Sequence, residues 1–409
     1  MSDAGFDVRL DTRKRGNARW KTVFLLATAL SVFFLALLIA NVANRAFGYV
    51  AIVYSTEPET VLPPGAKLQD MDSARLAPIL EARLSPRILR RLESQGPLSA
   101  RPAAELAKLL EEEILDPQIV GVWTLWTSLA SKKSIMEWTA HEHPSARIVF
   151  RSWMSLDFIL SPQSSDPLLA GIRSAVLGSL ITILITALIS LPLGIGAAIW
   201  LEEYARDTTL NRIIQTNIYN LAGVPSIIYG MLGLAVFVRG MEPVTSGAIF
   251  GLGAAAAGET ASGRTILSAA LTLALLVLPI VIINAQEAIR AVPSGLRHSS
   301  LALGATKWQT IWHHVLPSSM DRILTGAVLA ISRALGETAP LVVVGASTFL
   351  SKDPSGPFSR FTTLPIQIYQ WTARPQAEYR SVAAGAILVL LVLLISMNAA
   401  AITARNGYR

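Results

Sequence analysis

Two charges interrupt an otherwise apolar stretch: residues 323–350 are apolar apart from Arg333 and Glu337. Four residues apart on a helix, they share one face and lie about 6 Å apart along its axis. A charge inside a membrane span is expensive, so such residues pair with one another or serve a pathway. Both readings are open here. Either the two form a self-satisfied ion pair that fixes the helix against a neighbour, or Arg333 contacts an anion in transit. In the second case Glu337 holds the guanidinium and keeps it partly neutralised, so the anion is not trapped. A planar guanidinium suits an oxyanion through bidentate hydrogen bonds. Pro340, just beyond, removes one helical hydrogen bond and bends the span. Glu259 and Arg264 flank the start of another apolar run, where they line the approach to a pathway or anchor the helix end.

Other chemistry is missing. The chain has no cysteine, which excludes disulfides, thiolate metal sites, iron–sulfur ligation and cysteine catalysis. No G-x-x-x-x-G-K-[ST] occurs, so nucleotide is not hydrolysed here by a P-loop. Gly251, Gly253 and Gly258 lack the preceding strand of a dinucleotide site; Gly247 and Gly251 instead mark a close helix contact. His141-Glu142-His143 reads as a solvated loop, because zincin spacing needs histidine where Ser145 stands. No metal and no cofactor is expected, and no nucleophile set accompanies Glu337 to make an intramembrane enzyme.

The elements that must position Arg333 and Glu337 follow from composition. The 409 residues are 52% hydrophobic and 15% charged, with a mean hydropathy of +0.47. Soluble domains carry about 25% charged residues, so much of this surface faces lipid. Spans of about 20 apolar residues are expected at 23–42, 174–201, 213–238, 265–285, 323–350 and 381–403. The run at 23–42 is too long for a signal-peptide core and reads as a retained anchor after a basic head, 1–22. The 213–238 run is interrupted by Gly223-Val224-Pro225, and 241–258 reads as interfacial or re-entrant. With both termini cytoplasmic, the inner short segments hold fourteen Lys and Arg and the outer ones six. The net charge of +7 is then an orientation signal, and no nucleic acid is implied.

The predicted fold is an all-α polytopic membrane protein of six helices, with a small α+β insertion on the extracytoplasmic side. The division is 1–22, a first transmembrane helix at 23–50, the inserted domain at 51–170, and a five-helix core at 171–409. In the insertion, Ser85-Pro86 opens one helix and 103–114 forms another, while 119–126 and 147–153 read as strands.

The inner loop 286–322 is unusually organised. A helix over 296–303 ends at Gly304, and a second, 306–314, is closed by Leu316-Pro317. Trp308, Ile311, Trp312 and Val315 give the second an apolar side, fit for a partner's groove or for lying against the membrane. This loop resembles the coupling loop of ABC-transporter permeases, E-A-A, three residues, Gly, nine residues, I-x-L-P. Gly304-Ala305 and Leu316-Pro317 stand at matching separation, whereas His298 occupies the glutamate position, Ser299 and Ser300 the alanines, and His314 the isoleucine.

Two further stretches narrow the resemblance to phosphate-type permeases of the PstA kind. The run from Leu191-Pro192-Leu193-Gly194 to Trp200-Leu201-Glu202-Glu203-Tyr204 is similar to the end of their second span, and Gly223-Val224-Pro225-Ser226 through Tyr229-Gly230 fits too. Arg333-Ala334-Leu335-Gly336-Glu337-Thr338-Ala339-Pro340-Leu341 resembles their R-x-x-G-E-T-A-P-L segment. The resemblance implies one permease subunit of a bacterial inner-membrane importer of inorganic phosphate. It implies a PstC-like partner permease, a PstB-like ATPase dimer docking on Leu296, His298, Gly304, Ala305, Trp308, Ile311, Leu316 and Pro317, and a PstS-like phosphate-binding protein outside. Sulfate or molybdate is the alternative cargo, and a receptor or scaffold sensing through 51–170 the alternative function.

Overall fold

The computed structural model describes residues 3–63, 71–93, 97–252, 262–346, 350 and 353–406. The first helix, α1 (Asp3–Ala46), runs from the basic head through the first apolar run as one element. It stops at Ala46, and residues 47–50 belong to strand β1 (Phe47–Tyr54) rather than to the expected helix 23–50. The aromatic and β-branched sequence FGYVAIVY favours the pleated conformation once lipid-facing packing ends.

β1 is the centre of a three-stranded antiparallel sheet, flanked by β2 (Pro117–Val122) and β3 (Arg147–Ser152). Against the expected strand 119–126, β2 ends at Val122. Thr124 then accepts from the Thr127 amide and caps a helix. Between β1 and β2 lie α2 (Ser73–Arg83), α3 (Pro86–Glu93) and α4 (Ala103–Leu110). Their small core comprises Leu76, Leu80, Leu98, Leu106 and Leu110. After β2 come α5 (Leu125–Ala130) and α6 (Lys132–Glu142), and after β3 the short α7 (Leu156–Leu160).

The remaining chain is helical. α8 (Arg173–Ile199) ends in a π-helical turn, Trp200–Tyr204. α9 (Thr209–Ala222) and α10 (Ser226–Gly233, extended by a wide turn to Gly240) follow. Then come α11 (Ile266–Arg290), α12 (Ser294–Ala302), α13 (Lys307–Thr310), α14 (Leu316–Gly336), α15 (Ala339–Val344), α16 (Leu364–Thr372) and α17 (Glu378–Asn406).

α11 is the hub, with two thirds of its apolar window buried, against none for α1 and about a tenth for α17. α8 packs on it through Thr182, Thr186, Ser190, Gly194 and Ala198, all buried and four residues apart, while Gly178 faces the Thr362 backbone. Small side chains at that spacing let two backbones approach closely. A Cβ on Gly194 would sit 2.6 Å from Val281 Cγ1, and the Thr186 hydroxyl reaches Ala270 O at 3.2 Å. The sheet is not set apart: Val50, Ile52 and Trp153 share a core with Phe158, Ile172, Trp371, Tyr379 and Val382 at one end of the bundle.

Among the described residues four helices are long and apolar enough to cross a membrane, five if the bent pair α9–α10 is one span. The expected six is not reached on that measure. The 213–238 run bends by 104° at Gly223-Val224-Pro225. The 323–350 run is broken: α14 ends at Gly336, Glu337 is extended, and Pro340 falls in the first turn of α15 rather than inside a continuous helix. A proline is tolerated there because a first-turn N–H has no helical acceptor. Gly247 and Gly251 do not mark helix packing; both take positive φ, +80° and +64°, around one tight turn.

Candidate functional site

Arg333 and Glu337 meet where α14 breaks. Arg333 lies in the last turn, where a cation favours the helix C-terminus. Its Nε donates to Glu337 Oε1 at 3.3 Å. The Arg333 side chain is 48% exposed and the Glu337 side chain 17%. Arg333 stands about 15 Å along α14 from Ile323, at 1.5 Å per residue. Ile323 in turn packs with Ala285 and Ile289 at the other end of the bundle. The break therefore lies almost four helical turns from that end.

The stretches 223–230 and 333–341 come together here. A Cβ on Gly230 would lie 2.6 Å from Pro340 Cα, so α10 and α15 touch backbone to backbone. Tyr229 is buried beside them and its hydroxyl donates to Leu221 O at 2.7 Å, closing the end of α9. Tyr229, Leu335 and Leu341 belong to the same core as α11.

Arg264 is not part of the ion pair. It lies beyond the far end of α15, its stem against Gly345, where a Cβ would meet Arg264 Cδ at 2.7 Å. Arg264 therefore stands at the end of α15 opposite to the Arg333–Glu337 end, a helix of six residues and about 9 Å. Glu259 lies outside the described residues.

The second site is the hairpin 286–322. α12 ends at Ala302, Gly304 with its φ of +83° reverses the chain, and Thr306 caps α13 reciprocally with Gln309. Leu316-Pro317 does not close the second helix as expected. A π-helical turn, Ile311–Val315, carries the chain directly into α14, and Pro317 sits in its first turn. The wider turn accommodates a residue that has no N–H to donate.

The expected apolar side is divided in two. Ile311 and Val315 are buried, Val315 with Ala285 and Ile289, whereas Trp308 and Trp312 stack on each other outside, centroids 5.6 Å apart. Leu303 at the tip is 89% exposed, and Leu296, His298 and Ala305 lie along the same hairpin, Leu296 and His298 exposed.

Sequence reasoning missed what holds this hairpin in place. Glu202 and Glu203, in the turn ending α8, grip it through two arginines. Arg290 binds Glu202 with bonds of 2.6 and 3.2 Å, and Arg297 reaches Glu203 Oε1 at 2.9 and 3.0 Å. Arg297 also donates to Val292 O and Ile289 O. These residues line a cleft of about 410 Å³ with His298, Leu301 and Lys307. The readable signal was an acid pair directly after one apolar run and arginines directly after another.

Comparisons with known proteins bear on both sites. The sequence profile of binding-protein-dependent transport system inner membrane components matches residues 190–406, which include both the ion pair and the hairpin. A phosphate transport system permease protein PstA from Yersinia pestis is 35% identical over 241 residues, 58% of this chain and 74% of that one. PstA 1 from Mycobacterium tuberculosis is 33% identical over 283 residues, 68% of this chain and 81% of that one. A probable ABC transporter permease, YqgI of Bacillus subtilis, is 32% identical over 61% of this chain and 83% of its own length. Among solved structures, a methionine ABC transporter in an inward-facing conformation aligns with a TM-score of 0.42 and 17% identity, over 59% of this chain and 96% of that one.

Proposed function

Because the chain belongs to the family of binding-protein-dependent transport system inner membrane components, we propose that it is the PstA-like permease half of an ATP-driven importer of inorganic phosphate. Such a permease is a transport subunit and not itself an enzyme. The observation that carries the reading is the Arg333–Glu337 pair at a helix break, with its guanidinium half exposed. Non-helical backbone at membrane depth is tolerated only where protein or a water-filled cavity satisfies it. A half-exposed guanidinium at such a break faces a polar path, and its planar donors match an oxyanion. Glu337 orients Arg333 and offsets part of its charge, which keeps release fast. Arg264, a short helix away, stands on the approach to that path, a role the sequence also suggests for Glu259.

Energy enters through the hairpin. Trp308, Trp312 and Leu303 give a separate PstB-like ATPase dimer an apolar knob, with Leu296, His298, Gly304 and Ala305 around it. The buried Ile311 and the Leu316-Pro317 junction pass its motion into α14, at whose far end Arg333 stands. A PstC-like permease completes the path, and a PstS-like binding protein delivers phosphate on the sheet side. That side is extracytoplasmic, with 51–170 in the periplasm and both termini in the cytoplasm.

Phosphate uptake in a bacterial strain lacking its own permease tests the cargo. This chain, co-expressed with its partner subunits, restores uptake, and excess sulfate or molybdate leaves it unchanged. Competition by either oxyanion reassigns the cargo; no uptake of any oxyanion removes the permease reading and leaves a receptor acting through residues 51–170.

A further inference from the structure

We propose that α5 and α7 lie in the membrane–water interface at the sheet end of the bundle and hold the sheet against the bilayer. The inference rests on the reading that α1 and α8 cross the membrane, and it concerns a part of the chain that the family match at 190–406 does not reach.

The register of the sheet sets the level. β1 begins at Phe47, directly after α1, and pairs there with Ser152, the last residue of β3. The Trp153 amide donates to Ala46 O at 2.9 Å, and the Trp123 amide, just after β2, to Tyr49 O at 2.9 Å. Both flanking strands therefore leave the sheet where α1 enters it. α5 follows one exit and α7 the other. Hydrogen bonds tie each to the polar end of a span. Asn44 Oδ1, in the last turn of α1, accepts from the Trp126 amide at 2.7 Å. Arg173, the first residue of α8, donates from its side chain to Leu160 O at 3.0 Å and from its amide to Ser161 O at 3.1 Å. Two separate spans thus place the two helices at one depth.

Each helix turns one face inward and leaves large apolar side chains outside. Ser128 of α5 is buried and accepts the Tyr49 amide at 2.8 Å, and Phe158 of α7 is buried against Trp371. On the outer faces Trp126 is 74% exposed, Leu129 70%, Leu156 75% and Leu160 62%. This surface adjoins the lipid-facing surfaces of the spans: α5 packs against α1, and α7 against α8. α1 is uncovered from Trp20 to Ile39, and α8 exposes Leu180, Leu184 and Leu188. Apolar side chains that continue a lipid-facing surface past its polar end belong to the interface, where tryptophan is favoured.

The chain has no cysteine, so single-cysteine variants carry one nitroxide each. The full chain, with its partner subunits, is reconstituted into vesicles of phosphatidylethanolamine and phosphatidylglycerol. Power-saturation spectroscopy then compares collisions with oxygen, which concentrates in the acyl region, and with a water-soluble nickel chelate. Trp126→Cys, Leu129→Cys, Leu156→Cys and Leu160→Cys are the test sites. Lys133→Cys is the aqueous reference, and Phe34→Cys and Leu184→Cys are the lipid references. The proposal expects oxygen-to-nickel ratios severalfold above Lys133→Cys and below Leu184→Cys on both helices. Aqueous ratios at the four sites overturn it while lipid ratios at 34 and 184 leave the membrane reading standing. Suppressed collisions with both reagents also overturn it, because another protein then covers the face. Aqueous ratios at 34 and 184 overturn the membrane reading itself. Four sites on two helices keep the test decisive if one variant does not accumulate.

Discussion

Removing Arg297 tests how the hairpin is held. Its guanidinium touches Glu203 through two nitrogens and donates to Val292 O at 2.6 Å and Ile289 O at 2.8 Å. The Glu203 side chain is only 9% exposed and that of Arg297 21%. Arg297→Ala leaves a nearly buried carboxylate without a counter-ion, a change that costs about 3–5 kcal/mol. Water reaching the vacated side favours the lower end, about 3 kcal/mol. Arg290→Ala breaks the neighbouring pair, but Arg290 is 63% exposed. Its partner Glu202 is 15% exposed, but a guanidinium this open to water is readily replaced by solvent, so the loss is about 0–1 kcal/mol. At about 1.4 kcal/mol per decade, the first loss speeds local opening of the hairpin roughly a hundredfold, the second less than about tenfold. Hydrogen exchange of the full chain in nanodiscs, followed at the amides of Ser294–Ala302, reads this directly. The double variant Glu203→Ala/Arg297→Ala is expected to exchange no faster than Arg297→Ala alone, since the buried charge is gone. Equal acceleration by Arg290→Ala and Arg297→Ala, or additive acceleration in the double variant, refutes the reasoning. The hairpin is then held by Ile311 and Val315 packing instead.

Other consequences follow from single contacts. Gly230→Ala places a methyl group against the Pro340 backbone and is expected to cost about 1–3 kcal/mol, while Gly196→Ala, whose Cβ meets nothing within 4 Å, is neutral; thermal denaturation in detergent compares them. Gln215 and Gln286 exchange two amide bonds of 2.9 Å, so Gln286→Leu alone strands its partner at about 1–3 kcal/mol, whereas Gln215→Leu/Gln286→Leu regains much of the loss in the same assay. Trp308→Ala and Trp312→Ala truncate side chains more than half exposed, so the melting temperature stays within a few degrees while co-purification of the ATPase subunit falls.

The motifs carried the family assignment further than the helix boundaries. The Gly304 reversal and the Thr306 start were legible because a positive-φ glycine and a capping threonine act locally. The break at Glu337 was not. On composition 323–350 is one apolar run in which Pro340 foretells a bend, but not the extended Glu337 that ends α14 three residues earlier and lets Pro340 pack against Gly230 of α10. The same holds at Gly223-Val224-Pro225, where the interruption was visible but the 104° bend depends on tertiary contacts. β1 was hidden because its apolar residues continue those of α1 without a break. Trp308, Ile311, Trp312 and Val315 fitted one helical stripe, yet the π-helical turn and the buried core divide them between inside and outside. The Glu202–Arg290 and Glu203–Arg297 ties join segments 88 and 94 residues apart, a distance at which residue types alone do not choose partners.

The central claim is that Arg333 binds the anion in transit. Radiolabelled phosphate uptake by vesicles holding the complete transporter, compared for the native chain, Arg333→Ala, Arg333→Lys and Glu337→Gln, tests it most directly. Arg333→Ala is expected to abolish uptake while the complex still assembles and hydrolyses ATP. Partial uptake is expected for Arg333→Lys, which keeps the charge without the planar donors, and slowed turnover for Glu337→Gln. Native uptake in Arg333→Ala contradicts the account and leaves the pair as a packing device at the end of α14.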